Sequence, residues 1–234
     1  ILPKKNKNGF YEIRLESIGG LGANLAGKML AESGVLGSGF NGSNFASYGS
    51  EKKGSPVKSF IRFADADTEI RDHSPIEEPN VIGIFHEALY KMVDVVSGLQ
   101  PDGIVLVNST RYFDEIKEDL KLSYGTLAIV DALGIAVEEK TKVNTAMLGA
   151  LFRICDFLDA DSMKNVIKRT FERKYPHLVE PNIRTFERGY NEVQFKEYQI
   201  PEDAAAKNFT KPSPILGYET QVIGGTILAQ GNSL

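Results

Sequence analysis

Cysteine is almost missing from this 234-residue chain; Cys155 is the single one. One thiol excludes an internal disulfide, and it excludes a four-cysteine zinc or iron–sulfur cluster held by this chain alone. It also suits a reducing cytoplasm, the expected location. An excess of positive charge is missing as well. Lys and Arg number 27 against 31 Asp and Glu, a net charge of -4, so a general nucleic-acid binder is not expected. No run approaches the roughly 20 apolar residues that cross a bilayer. Ile1-Leu2-Pro3-Lys4-Lys5 has bases without an apolar core behind them, unlike a signal peptide. There is no G-x-S-x-G nucleophile elbow. His73, His86 and His177 lack metal-ligand spacing, and Asp65-Ala66-Asp67-Thr68-Glu69 lacks the turn glycine and closing glutamate of a calcium loop. No residue qualifies as a general base, a nucleophile or a metal ligand, so neither a catalytic nor a metal residue is assigned.

What is present is an alternation of short apolar strands with helices. Tyr11 to Ile18 reads as a strand ending in Gly19-Gly20-Leu21-Gly22, followed by a helix over Ala23 to Glu32 with Gly34 as its stop. Gly37 to Gly54, rich in Gly, Ser and Asn, reads as a loop. Val57 to Phe63 is a strand with Lys58 and Arg62 on one face. Further strands are expected at Val81–Phe85, Ile104–Asn108 and Leu127–Asp131, with helices at His86–Ser97 and Tyr112–Leu120 between them. The pattern predicts an α/β fold: a three-layer, Rossmann-like domain with a mostly parallel sheet. The second half turns helical, at Asn144–Leu158, Asp161–Arg173 and Glu187–Glu197, with a turn around Pro176 and Pro181. Pro201, Pro212 and Pro214 break helices, so 1–199 is expected to be the α/β domain and 200–234 an extended arm.

Two loops invite chemistry. The strand–glycine turn–helix at Gly19, Gly20, Gly22 and Asn24 presents backbone N–H groups at a helix N-terminus, which suits a phosphate, a carboxylate or a coenzyme. The dinucleotide fingerprint is incomplete there: Leu25 occupies the third small position, and no acidic residue follows about 20 positions on. A tight turn that lets helix and sheet pack closely is the plainer reading. The Walker-like string Gly22 to Met29 has Met29 in place of the Mg²⁺-binding Ser or Thr, and its residues follow helical periodicity. In the second loop, Tyr48, Glu51, Lys52 and Lys53 set an aromatic, an acid and two bases between glycines, a mixture fit for an active-site-proximal or interface loop. Lys164, Lys168, Arg169, Arg173 and Lys174 read as a solvated helix face. On these features alone, a free-standing nucleotide- or coenzyme-A-binding Rossmann-like protein stays open as an alternative.

Taken in order, the segments resemble the gamma-type domain of the 2-oxoacid:ferredoxin oxidoreductases. That family opens with a strand, a G-x-G-G-x-G-like turn and an Ala/Leu-rich helix, as in Ser17 to Gly22 and Leu25 to Ala31 here. Its Y-G-P-E-x-R-G-G segment and V-x-A-x-V-R-I strand are similar to Tyr48 to Ser55 and Val57 to Phe63. Asn144 to Leu151 resembles its N-x-x-x-L-G-A-L helix. The tail, Pro214 to Tyr218, Ile223 to Thr226 and Gly231 to Ser233, looks like the opening of the family's ferredoxin-like delta region.

The resemblance implies a subunit, inactive alone, of a complex that decarboxylates a 2-oxoacid of oxalate or pyruvate type and passes electrons to ferredoxin. Thiamine diphosphate with Mg and 4Fe-4S clusters are implied on other chains or domains, with none bound by this chain alone. Partners implied are thiamine-binding alpha and beta subunits, a ferredoxin-like delta region and ferredoxin, with no nucleic acid and no membrane. Three positions depart from the family: Ser50 for proline, Lys53 for arginine and Ser55 for glycine. Arg to Lys removes a planar bidentate donor, so whether coenzyme A is used stays open.

Overall fold

A computed structural model describes residues 1–48, 54–199 and 221–227. The order is β1 (Tyr11–Ile18), α1 (Ala23–Ser38), β2 (Asn41–Tyr48), β3 (Pro56–Ala64), β4 (Val81–Ile84) and β5 (Ile104–Asn108). There follow α2 (Phe113–Leu120), β6 (Gly125–Val130), α3 (Ala132–Glu139), α4 (Val143–Ile154), α5 (Ala160–Phe171), α6 (Val179–Glu192), β7 (Gln194–Tyr198) and β8 (Gln221–Ile227). One eight-stranded sheet runs in the order β7-β6-β5-β4-β1-β3-β2-β8. Strands β1, β4, β5 and β6 form a parallel block. Strand β2 shares their direction, while β3, β7 and β8 run against it, so the sheet is mostly parallel as its sequence predicts.

The two faces of the sheet are packed differently. Ile13, Leu15, Val81, Leu106, Ala128 and Val130 point to a face covered by α1, α3, α4 and α5. Ile82, Ile84, Val105, Val107 and Leu127 point to the other, under α2 and a short 3-10 turn at Glu87–Lys91. The result is three layers, thick on one side and thin on the other.

On the thin side, β1 and β3 carry charge into the interior. Glu12, Arg14, Glu16 and Arg62 are all buried. The antiparallel register sets Glu12 opposite Arg62 and Glu16 opposite Lys58. Arg62 Nε donates to Glu12 Oε1 at 2.7 Å. Arg14 Nε and Lys58 Nζ lie 2.9 and 3.3 Å from Glu16 Oε1, ion pairs not aligned as hydrogen bonds. Burial raises the Glu12 carboxyl, against the downward pull of Arg62. Arg14 also donates to the carbonyls of Ile76, Val95 and Ser97, so the segments over this face spend their backbone acceptors on a guanidinium.

One element over this face differs from expectation. The helix expected over His86–Ser97 is only the 3-10 turn Glu87–Lys91, followed by isolated turns. Other differences have local causes. Helix α1 runs past Gly34 to Ser38 and stops at Gly39, which adopts a left-handed conformation. The stretch read as a loop over Gly37 to Gly54 contains strand β2, whose alternation is masked by buried polar residues. Asn41 Nδ2 donates to the carbonyls of Ala66 and Thr68, and Asn44 Nδ2 to Ser59 Oγ. The small residues of β2 let α1 lie close upon it. The helix expected to Glu197 ends at Glu192; Gln194–Tyr198 instead pairs antiparallel with β6. Residues 221–227 of the expected arm pair with β2 as β8, and the rest of 200–234 lies outside the described residues.

In the helical layer, α4 and α6 cross at van der Waals contact through two glycines. A Cβ on Gly149 would strike the carbonyl of Phe186, and one on Gly189 the carbonyl of Ala146. Thr145 Oγ1 donates to Asn182 Oδ1 at 2.9 Å, a buried bond along the same seam. Gly149→Ala is therefore expected to destabilise the fold by about 3 kcal/mol, as overpacking of backbone against backbone does. For a chain of this size Tm should fall by about 9 °C in a thermal melt. Cys155 is buried and accepts a hydrogen bond from Tyr11; burial raises its thiol from 9.0 to about 12. Since the folded value is the higher one, the associated stability is full below pH 9 and is lost as pH rises toward 12. At pH 8 a disulfide reagent should modify the native thiol at least 100-fold more slowly than the thiol of urea-unfolded protein.

Candidate functional site

The chain leaves β1 through α1 on one face of the sheet and leaves β4 through the 3-10 turn on the other. Adjacent parallel strands whose connections diverge open a crevice at their carboxyl ends, where α/β sheets bind ligands. The glycine turn lies at this switch point. Gly20 and Gly22 have φ of 98° and 79°, which side chains with a Cβ resist, and Gly22 is the N-cap of α1. No side chain caps the helix and no acidic residue lies in its first turn, so its N-terminal dipole favours an anion.

The second loop is brought to the same place. Gly19 N–H donates to the Ser55 carbonyl at 3.0 Å, joining the glycine turn to the end of the β2–β3 connection. Two segments about 35 positions apart in sequence thus share one edge. Of the residues picked from sequence, Gly19, Gly20, Gly22 and Asn24 lie at this turn, and Tyr48 is the last residue of β2. Glu51, Lys52 and Lys53 lie outside the described residues.

Several polar residues brace the edge. Asn108, at the end of β5, donates through Nδ2 to the Phe85 carbonyl at 3.0 Å and accepts Leu133 N–H at 3.2 Å. Asp131 Oδ1 caps α3 by accepting Gly134 N–H. Ser109 Oγ donates to Glu87 Oε1 at 2.6 Å, and His86 Nδ1 accepts Ala88 N–H. Asn144, buried at the start of α4, reaches the Gly22 carbonyl at 3.4 Å. Sequence reading passed over Asn108 and Asp131. The signal was there: each is a lone polar residue ending an apolar strand.

Through its described residues this edge offers backbone donors and a helix dipole. Ser109 faces a carboxylate without an imidazole partner. Among the described residues no group of three His, Cys, Asp or Glu side chains could hold a metal. A cavity of about 410 Å³ beside Tyr90 and Leu120 and one of about 250 Å³ beside Cys155 are lined by other residues. The Walker-like string is helical from Ala23, as its periodicity predicts. On α5, Lys164 pairs with Asp161 and Glu187, and Arg169 with Glu32.

Gly22→Ala would place a methyl 2.6 Å from Asn144 Nδ2 in a left-handed conformation. A loss of about 1–2 kcal/mol is expected, lowering Tm by about 3–6 °C.

Comparison with known proteins bears on this edge. Residues 12–192 match the family described as pyruvate ferredoxin/flavodoxin oxidoreductase. Pyruvate synthase subunit PorC of Thermotoga maritima is 35% identical over 191 residues, covering 80% of this chain and 97% of the relative. The pyruvate/ketoisovalerate oxidoreductases common subunit gamma of Thermococcus kodakarensis is 37% identical over 184 residues, covering 78% and 96%. The crystal structure of the T. maritima pyruvate oxidoreductase subunit PORC superposes with a TM-score of 0.71 at 32% identity, covering 81% of this chain and 99% of that one. A 2-oxoglutarate:ferredoxin oxidoreductase from Magnetococcus marinus shares the fold, with a TM-score of 0.60 at 18% identity over 90% of this chain and 34% of that one. With the strand–glycine turn–helix and the adjoining hairpin both inside the matched span, the chain belongs to the pyruvate ferredoxin/flavodoxin oxidoreductase family.

Proposed function

We propose that this chain is the gamma-type subunit of a 2-oxoacid:ferredoxin oxidoreductase complex, working in the cytoplasm beside thiamine-binding alpha and beta subunits, a ferredoxin-like delta region and ferredoxin. The observation that carries this reading is the match to PorC and gamma subunits, which covers 80% and 78% of this chain and 97% and 96% of those relatives. The clusters of such a complex do not fit this chain. A 4Fe-4S cluster needs four thiolates, and the chain has one buried thiol held far above its ordinary pKa. Thiamine diphosphate, with its Mg, would supply the decarboxylation chemistry from another subunit.

The part left to this chain is to build one wall of the site. The α1 N-terminus and the Gly19–Ser55 junction favour an anionic group, while Lys52 and Lys53 add positive charge in the neighbouring sequence. The relatives' names favour pyruvate as the 2-oxoacid. The departures at Ser50, Lys53 and Ser55 favour a member that runs without coenzyme A, and oxalate is the 2-oxoacid that suits it: its oxidation leaves carbon dioxide and two electrons, with no acyl group to trap.

Mild affinity purification from the native host should bring down a thiamine-binding subunit with the brown absorbance of iron–sulfur clusters. A colourless chain arriving alone would refute the subunit reading. In the purified complex, oxalate turnover should be unchanged by added coenzyme A, and acceleration of oxalate or pyruvate turnover would end the coenzyme-independent reading. The double substitution Lys52→Ala/Lys53→Ala should leave the complex assembled and lower its rate at least tenfold. A complex that falls apart would make the loop an interface instead.

A further inference from the structure

Strands β7 and β8 are consecutive in the chain yet occupy opposite edges of the sheet. Seven inter-strand steps separate them, about 34 Å at roughly 4.8 Å each. They also differ in height. Tyr198 pairs with Gly125 at the start of β6, whereas Gln221 pairs with Tyr48 at the end of β2. The two strands therefore lie at diagonal corners of the sheet.

Seven residue pairs, from Gly42–Ile227 to Tyr48–Gln221, align β8 with β2, and Gly224 and Gly225 fall opposite Phe45 and Asn44. Without that partner the outer edge of β2 would present an open row of amides and carbonyls. The family match ends at residue 192, before β8 begins. The T. maritima relative is covered over 97% of its own length while 20% of this chain stays unmatched, so the tail is additional to what that relative has.

We propose that the outer edge of β2 is a strand-acceptor surface and that residues 221–227 of this chain are its donor, fastening the tail to the family domain by β-augmentation. The docking has a consequence at the candidate site. Gln221 is aligned with Tyr48, the last residue of β2 before the loop that carries Glu51, Lys52 and Lys53. The donor strand thus anchors the base of that loop. The inference stands on the β2–β8 register and not on the substrate or cofactor reading above.

A proline scan of the full chain tests it. In an edge strand, successive N–H groups point alternately to the neighbouring strand and outward, and proline is tolerated only where the N–H points outward. The single substitutions Ile223→Pro, Gly224→Pro, Gly225→Pro and Thr226→Pro should therefore alternate in effect. Two alternate variants should speed amide exchange within residues 41–48 at least tenfold, and the other two should stay within threefold of the unsubstituted chain. An equal effect at all four positions, or none at any, would overturn the proposal. So would a doubled mass in light scattering that proline at the sensitive positions halves, since the donor would then belong to a second copy. None of these readouts involves turnover, so failure here is distinct from failure of the oxidoreductase reading.

Discussion

The pairing of Glu12 with Arg62 and of Glu16 with Arg14 and Lys58 is the constraint on which the rest of the structure depends. These groups lie on central strands, out of water, where an unpaired charge costs several kcal/mol. A slip of one residue between β1 and β3 would turn every one of them to the opposite face. Fixing that register also sets what lies at the strand ends. It brings Gly19 beside Ser55, so the glycine turn and the second loop meet at one edge. It also places Arg14 where the carbonyls of Val95 and Ser97 complete its shell.

The unequal layers follow from this distribution of charge. The face of β1 that carries Ile13 and Leu15 takes the whole helical layer, closed by the glycine contacts between α4 and α6. The opposite face, charged at β1 and β3, is roofed by short turns whose carbonyls can reach a guanidinium. A domain built this way is stiff where its helices cross. It presents its less regular connections along the carboxyl edge of the strands, where a partner could meet them.

What the edge offers chemically matches membership of a multi-subunit oxidoreductase family. Backbone amides at an uncapped helix and the asparagines Asn108 and Asn144 can orient an anion, and neither transfers a proton at neutral pH. The one thiol is buried and held protonated.

The sequence by itself determined the local elements with strong periodicity or punctuation: β1 and its glycine turn, the apolar strands β4 to β6, α2, α4 and α5, and the family they spell out in order. Each of these is coded by residues close together in the chain. Tertiary structure decided the rest, because the deciding partners are distant in sequence. Asn41 and Ser43 look like loop residues until Ala66 and Thr68 take the Asn41 amide and β3 lies alongside. The helix expected over His86–Ser97 is cut to one 3-10 turn, and Val95 and Ser97 give their carbonyls to an arginine some 80 positions earlier. Gln194–Tyr198 becomes a strand because β6 offers a free edge, and 221–227 becomes one because β2 does. Glu12, Arg14 and Glu16 alternate along β1 with Tyr11, Ile13 and Leu15, and nothing local says whether they meet water or protein. Only the fold, by covering them, turns them into the fixed register from which the site is built.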